Sequence, residues 1–430
     1  MKYQLHLDTS ASINVQTGGM PIVSKMNGNP FLTSILLYNN HRNVNTVELT
    51  SAEIPIGFYN IRAPYNTFII NGTIYTVPPG NYDITTLLQT MGTLSQTLFS
   101  ISNSIINVIY NGPGAVSTYA GQYNVNSSTD GIKTGATFSF PISIVSDGNG
   151  KLYTAGQSNN IRRIDLVSGQ VTTLLNTSWW AQGLAYDGVD TIYLAATNDS
   201  TIRKYVISTN TQSIFAGASG SPGYVDATGT SARFNDVRGI AYYSGVLYVA
   251  DAGNARIRAI DVTTQAVTTF AGSGAVATTN GTGLLASFNT PRGLTIDSSS
   301  GILYVLEEAG RCVRKVTISS ADVVTWAGTP GQSGSTNGPG LSATFNFPNS
   351  LCIDSTFTRI YVGDTNNNMI RQIEVSSAVV STLAGQITAG YVDATGTSAK
   401  FSLPFGVSYY SGYLYVCDYS NQLIRSIVVN

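Results

Sequence analysis

The strongest chemical signature in this sequence is a series of six arginines, each preceded by an apolar residue and spaced 41 to 57 residues apart. A carboxylate stands seven residues before each of the last four, and charge-assisted pairing between neighbouring strands is favourable. The acids are Asp251, Glu307, Asp364 and Asp418. We therefore interpret the arginines as structural residues; they are Arg162, Arg203, Arg258, Arg314, Arg371 and Arg425.

Residue types that usually carry catalysis or bind metals are sparse. The two histidines, His6 and His41, both precede the arginine series, and the three cysteines are widely separated. This pattern argues against a histidine-ligated zinc site or a paired-cysteine site in the repeated region. An all-oxygen calcium site stays open as an alternative, although such aspartates more often form turns; they are Asp147, Asp187, Asp297 and Asp354. We expect no enzyme activity, no catalytic residues, no cofactor and no metal.

One ten-residue segment, GYVDATGTSA, occurs twice, beginning at Gly223 and at Gly390. Both copies lie in long connectors, and long loops on a rigid scaffold often carry binding residues. The alternative is that their side chains only order the loop for its return to the next strand. The candidate binding-face residues are Tyr224, Asp226, Tyr391 and Asp393.

The elements that must position these residues are short strands, which recur in groups of four from Val116 to Asn430. Each unit has an apolar-Tyr strand, an arginine strand and, in most units, a Thr-rich strand. The last unit lacks its Thr-rich strand, while one such strand, VSTYAGQ from Val116, stands alone before the first unit. A ring can use that displaced strand to complete its last blade. The sequence therefore predicts an all-β, six-bladed β-propeller closed by its N-terminal strand.

The repeats resemble the NHL-repeat propellers. The phrases that carry the resemblance include YVADAGNARIRAID from Tyr248, YVGDTNNNMIRQIE from Tyr361 and YVCDYSNQLIRSI from Tyr415. The first two units depart from the pattern, because Gly156 and Ala196 stand near the position of the acid.

Residues 1–112 form a separate β-rich unit, divided from the propeller (residues 113–430) by the break Asn111-Gly112-Pro113-Gly114. The segments Val47–Ile61 and Tyr65–Met91 resemble penton and minor capsid proteins of large icosahedral double-stranded DNA viruses. This resemblance implies a jelly-roll-like domain, and the segment YDITTLLQTM from Tyr82 is expected to be a short amphipathic helix. It also implies a capsid anchor that forms a homo-oligomer.

The function expected from these features is that of a structural virion protein: a penton, minor capsid or spike component with a displayed propeller. Its expected partners are other capsid proteins and a host-surface glycan or protein. A net charge of −1 argues against nucleic-acid binding, and the sequence shows neither a membrane span nor a signal peptide, so we expect assembly in the host cytoplasm. The alternative is a non-viral propeller, either a hydrolase- or lyase-like enzyme or an interaction scaffold.

Overall fold

The computed structural model divides the chain into two compact units, Met1–Asn111 and Gly112–Asn430. It describes residues 113–429 continuously and, before them, a set of short strands. These strands are Tyr3–Leu5, Val15–Thr17, Met20–Ile22, Ser24–Met26, Leu32–Leu36, Val47–Leu49, Thr67–Ile70, Thr73–Thr76, Leu98–Ser102 and Ile105–Ile109.

Most strand pairs described in the N-terminal unit are antiparallel. Leu32–Leu36 pairs with Ser24–Met26 on one side and with Ile105–Ile109 on the other, and Leu98–Ser102 completes this four-stranded sheet. The predicted jelly-roll arrangement of residues 1–112 and the predicted helix from Tyr82 lie outside the described residues.

The second unit is a six-bladed β-propeller, as predicted, and each blade has four antiparallel strands. The inner strands of blades 1 to 6 are Pro141–Ser146, Ala181–Tyr186, Val237–Tyr243, Pro291–Asp297, Ser350–Ile353 and Pro404–Tyr410. The second strands are Lys151–Gly156, Thr191–Ala196, Val246–Asp251, Ile302–Glu307, Arg359–Asp364 and Tyr413–Asp418. The third strands are Asn160–Asp165, Thr201–Val206, Arg256–Asp261, Cys312–Thr317, Met369–Glu374 and Leu423–Val428. The outer strands are Gln170–Asn176, Thr211–Ala216, Val267–Ala271, Asp322–Ala327, Val379–Gly385 and, for blade 6, Val116–Gly121.

Closure by the displaced strand is confirmed. Val116–Gly121 pairs antiparallel with Leu423–Val428, and the hydroxyls of Ser117 and Ser426 lie 2.9 Å apart across this seam. The inner strands of successive blades contact one another around the ring, and the inner strand of blade 6 contacts that of blade 1. The ring therefore closes without leaving an open blade at the junction of its two ends.

The connectors that lead from one blade into the next add further elements. Two-residue fifth strands extend blades 1, 4 and 5 at Gly131–Ile132, Gly281–Thr282 and Gly338–Pro339. Short 3-10 helices follow in the connectors at Lys133–Gly135, Gly229–Ser231, Gly283–Leu285, Gly340–Ser342 and Gly396–Ser398. Others join the second and third strands at Thr197–Asp199, Ala252–Asn254, Thr365–Asn367 and Tyr419–Asn421. Within the described part of the chain, none of the helices is long and apolar enough to cross a membrane.

Candidate functional site

The blade arginines are buried at the centre of a repeated cluster, which blade 3 illustrates. Arg258 is fully buried, and its Nη1 donates to the carboxylate of Asp251 at 2.8 Å and to the carbonyl of Arg233 at 3.0 Å. The ring of Phe234 lies 5.0 Å from the guanidinium carbon. The predicted acid–arginine pairs of the other blades are also present, as Arg314–Glu307, Arg371–Asp364 and Arg425–Asp418.

This cluster explains the repeated phrase A-x-F that precedes most inner strands. In blade 3 Ala232 is fully buried, the carbonyl of Arg233 accepts from Arg258, and Phe234 packs against the guanidinium. The same carbonyl position serves the arginines of blades 1, 4, 5 and 6. The phrase is therefore a binding site for the arginine of its own blade.

A connector residue that binds the arginine in every blade except blade 2 was not foreseen from the sequence. In blade 3 the Nη2 of Arg258 binds the carboxylate of Asp226, which also accepts from the backbone N–H of Thr269 at 3.0 Å. The equivalent residues precede their arginines by 32 or 34 positions, a spacing visible in the sequence. They are Asp130, Asn280, Asn337 and Asp393.

The four candidate binding-face residues thus contact their own blades. Asp226 and Asp393 bind the arginines of blades 3 and 6, and the hydroxyl of Tyr224 lies 2.8 Å from that of Thr269. The hydroxyl of Tyr391 lies 2.9 Å from that of Thr118 in the same way. This geometry favours the alternative, in which these side chains order the connector.

In the two blades without the expected acid, the arginine pairs with a different carboxylate. In blade 1, Arg162 is paired with the connector residue Asp130 at 3.0 Å. In blade 2 the acid is displaced by three residues from Ala196, so Arg203 pairs with Asp199 at 2.6 Å.

Burial dominates the electrostatics of the internal pairs. It raises the pKa of Asp418 to about 6, although the charge of Arg425 acts in the opposite direction. Burial also raises the pKa values of Asp251, Glu307 and Asp364. Desolvated pairs of this kind are costly to break, because the surviving charge stays buried.

The aspartates considered for calcium form turns. The Oδ1 of Asp147 accepts from the N–H of Asn149 at 2.8 Å, and the Oδ1 of Asp187 accepts from the N–H of Val189 at 2.9 Å. The Oδ1 of Asp297 accepts from the N–H of Ser299, and the Oδ1 of Asp354 accepts from the N–H of Thr358, both at 2.9 Å. In residues 113–429 no group of three or more His, Cys, Asp or Glu side chains is arranged to hold a metal.

A cavity of about 270 Å³ runs along the inner strands of all six blades and forms the central channel. In five blades the A-x-F phrase is followed by two residues and then by Pro or Val, and in blade 2 Ala181 takes the place of this Pro or Val. In every blade the next residue lies at one end of the channel. We call this end the channel mouth; its six residues are Ile142, Gln182, Arg238, Arg292, Asn349 and Phe405.

Arg292 spans the channel mouth. It lies in blade 4 but donates from Nη2 to Oε1 of Gln182 in blade 2 at 2.8 Å, and its guanidinium lies 5.6 Å from the ring centre of Phe405 in blade 6. Its Nη1 also pairs with Glu308. A side chain of blade 4 that contacts blades 2 and 6, neither of them adjacent to it, must lie over the channel rather than within one blade.

The inner strands approach closely enough at this level to require glycine. A Cβ on Gly239 would lie 1.8 Å from the carbonyl oxygen of Arg292, and one on Gly183 would lie 2.2 Å from that of Arg238. Gly183 follows Gln182 and Gly239 follows Arg238. These glycines therefore allow the inner strands of blades 2, 3 and 4 to lie close together at the mouth.

The charged side of the mouth is an internally paired network. Arg238 donates to Glu308 at 2.5 Å and to Asp236 at 2.9 Å. Burial lowers the pKa of Arg292 to about 10, although the nearby carboxylate of Glu308 opposes this shift. Burial has the same effect on Arg238, but there the bond with Asp236 and the charges of both carboxylates raise the pKa overall.

The opposite side of the mouth is aromatic. The ring of Tyr419 lies 4.6 Å from Phe405 and 5.0 Å from Phe140, and its hydroxyl accepts from Gln157 at 2.7 Å. Phe140 has a φ of +45°, a left-handed conformation that is strained for a bulky residue. Sequence reasoning did not single out the mouth residues, although aligning the units on the A-x-F phrase brings them into one column.

Comparison with known proteins agrees with the repeat pattern. No family model matches the chain. The chain is similar to human NHL repeat-containing protein 2, with 25% identity over 301 residues, which are 59% of this chain and 41% of that protein. It is also similar to SUPPRESSOR OF QUENCHING 1, chloroplastic, from Arabidopsis thaliana, with 26% identity over 264 residues, or 58% of this chain and 25% of that protein. The matches thus span less than half the length of these relatives.

Solved structures support the same fold. A structural genomics protein of unknown function from Bacteroides thetaiotaomicron superposes with a TM-score of 0.61 at 19% identity, covering 78% of this chain and 87% of its own. At this identity the likeness shows the fold alone.

The virion interpretation is wrong. The curated relatives are cellular proteins of human and Arabidopsis, so the expected penton, capsid or spike role and the virion localisation do not hold. The phrases that suggested them cover a short segment without chemically distinctive residues, whereas the repeat extends over the whole propeller. The expected homo-oligomer through residues 1–112 stays a prediction. The comparisons favour a non-viral protein that contains an NHL-type propeller.

Proposed function

We propose that the propeller is a non-catalytic interaction module whose ligand site is the channel mouth. The observation that carries this proposal is the reach of Arg292 across the mouth, from blade 4 to side chains of blades 2 and 6. A large pocket with a few convergent polar groups is the usual form of a ligand site.

The chemistry of the mouth favours a ligand with a carboxylate next to an aromatic or apolar group. Arg292 donates to the neutral amide oxygen of Gln182, and a ligand carboxylate in its place would form a stronger hydrogen bond in which both groups are charged. Phe405 and Tyr419 would then lie beside the apolar part of the ligand. The carboxylates of Glu308 and Asp236 are already paired with arginines, which supports a role in positioning rather than in proton transfer.

Thermal unfolding with small aromatic carboxylates, each compared with its uncharged amide, tests the proposal. We expect the carboxylates to raise the melting temperature of the wild-type protein, the amides to leave it unchanged, and Arg292→Met to abolish the difference. Arg359→Met is the matched control, because Arg359 forms a half-exposed pair with Glu374 in blade 5. Ester or lactone hydrolysis that is lost in Arg292→Met would instead assign an enzyme to this site.

A further inference from the structure

Blade 2 differs from the other five blades at its outer edge. Within residues 113–429, no connector or bridge pairs with the outer side of its strand Thr211–Ala216, which we call the open edge. In each of the other blades, a connector residue forms backbone contacts with the outer strand. These residues are Gly131, Ala227, Gly281, Gly338 and Ala394.

Blade 3 shows how the connector is held. The carbonyl of Val225 accepts from Nη2 of Arg258 at 3.1 Å, and the carboxylate of Asp226 binds the same nitrogen and the N–H of Thr269. The carbonyl of Ala227 then accepts from the N–H of Val267 at 2.9 Å. Three consecutive residues thus bind the arginine and the outer strand together.

The same three-residue pattern recurs in four more blades. Its first residue is Thr or Val, its second is Asp or Asn, and its third is Gly or Ala; the segments are Thr129–Gly131, Thr279–Gly281, Thr336–Gly338 and Val392–Ala394. The chain therefore contains five occupied copies of one recognition site.

Blade 2 has the arginine and the outer strand of this site, but no connector segment is bound to them in the described residues. Only residues 177–180 link the preceding outer strand to its inner strand, and so few residues cannot also run along the outer edge. The side chain of Arg203 is 12% exposed, whereas the blade-arginine side chains of blades 3 to 6 are fully buried. Its Nη1 makes no hydrogen bond to the described residues.

Two residues of the open edge differ from their counterparts in the other blades. Ile214 occupies the position of Thr269 opposite the blade arginine, and Gln212 occupies the position of the buried Val267. The Nε2 of Gln212 is buried without a hydrogen-bond partner. The open edge therefore combines free backbone groups, a partly exposed cation and an unsatisfied buried donor.

We infer that the open edge binds an extended segment of a partner protein with the pattern Thr or Val, Asp or Asn, Gly or Ala. The segment adds an antiparallel fifth strand to blade 2, and its acidic or amide side chain binds Arg203 and the N–H of Ile214. Exposed strand edges accept peptides in this way, with backbone bonds giving affinity and side-chain contacts giving specificity. This surface lies on the rim of the propeller and does not depend on the proposed channel ligand.

The test measures binding of a labelled peptide, GYVDATGTSA, to the full chain by fluorescence anisotropy. Ile214→Thr restores the hydroxyl that the other blades use, and Ile214→Val is its match in shape without the hydroxyl. We expect Ile214→Thr to bind about fivefold more tightly than Ile214→Val, the gain of one hydrogen bond. The same peptide with alanine in place of aspartate should bind at least about tenfold more weakly, because its charge-assisted bonds are lost.

Location is checked with Ile214→Pro and by hydrogen exchange. By equivalence with Thr269, the N–H of Ile214 points away from the blade. Proline at this position therefore removes an N–H that would donate to the bound peptide, but it breaks no hydrogen bond within the sheet. The peptide should slow exchange of the amides of residues 211–216, and Ile214→Pro should abolish binding. Equal affinities for the Thr and Val variants, or binding that survives proline, would overturn the inference. So would a dimer in light scattering that Ile214→Pro dissociates, since a second copy would then occupy the edge.

Discussion

Replacing Arg371 by methionine should destabilise the propeller far more than replacing Arg359, which lies in the same blade. Arg371 is fully buried and donates to Asp364 at 2.8 Å, to Asn337 at 2.7 Å, and to the carbonyls of Thr344 and Thr336. Arg359 and its partner Glu374 are 39% and 37% exposed.

The size of the difference follows from what each substitution leaves behind. Arg371→Met leaves the carboxylate of Asp364 buried with only two donors, the N–H of Asn346 and the amide of Asn367. Loss of one partner from a buried pair costs about 3–5 kcal/mol. An exposed pair contributes at most about 1 kcal/mol, so Arg359→Met should change the free energy of unfolding by no more than that.

The pH dependence provides a second measurement. Burial already raises the pKa of Asp364, and removal of the Arg371 charge will raise it further. A carboxyl with a raised folded-state pKa stabilises the fold at low pH and loses this contribution as the pH rises through that pKa. The destabilisation by Arg371→Met should therefore shrink as the pH falls from 7 towards 4.

Urea unfolding followed by tryptophan fluorescence measures both effects, with the double variant Asp364→Asn/Arg371→Met as a further control. Asp364→Asn removes the carboxylate that Arg371→Met leaves buried without its cation, which should recover part of the lost free energy of unfolding. The double variant should therefore be more stable than the sum of the single variants predicts. If Arg371→Met and Arg359→Met cost the same, or if the loss grows at low pH, the ion-pair argument fails.

Three further outcomes are expected. A chain that begins at Thr134 should be several kcal/mol less stable than one that begins at Gly112, because it lacks the closing strand and also Asp130, the partner of Arg162; equal urea midpoints would contradict closure. Gly239→Ala should cost more than about 2 kcal/mol through its clash with the Arg292 carbonyl, whereas Gly135→Ala, with open space around it, should be within about 0.5 kcal/mol of wild type. Arg292→Met should change the unfolding free energy by no more than about 1 kcal/mol, since Glu308 keeps its bond to Arg238 and the buried guanidinium is itself costly; a loss like that of Arg371→Met would make Arg292 a structural residue.

The features that repeat at short sequence separations could be predicted from the sequence. The displaced strand at Val116 predicted closure, and the acids of blades 3 to 6 predicted their arginine partners, because each pair lies on adjacent strands only seven residues apart. The pairing of connector residues such as Asp226 with the arginines was harder to predict, because these residues are Asp in some blades and Asn in others. They also lie more than 30 residues from their arginines.

The contacts of Arg292 could not be predicted from strand patterns. Gln182 is 110 residues away and belongs to a blade that is not adjacent, so the contact depends on the curvature of the closed ring. The penton-like interpretation failed for a different reason, because it rested on a short segment whose residues carry no chemistry.

The propeller uses arginine in two ways, and the difference indicates where function resides. The blade arginines repeat, and in blades 3 to 6 they are fully buried and bound to an acid, a connector residue and two carbonyls, which fixes the connectors. Arg292 and Arg203 break this repetition. Arg292 leaves its blade to cross the channel, and Arg203 lies beside an edge with which no connector of the described chain pairs. A position at which the repeat is broken offers a surface that occurs once in the propeller, whereas a repeated position offers a similar surface several times. The channel mouth and the open edge of blade 2 are therefore the places where substitutions should separate binding from stability.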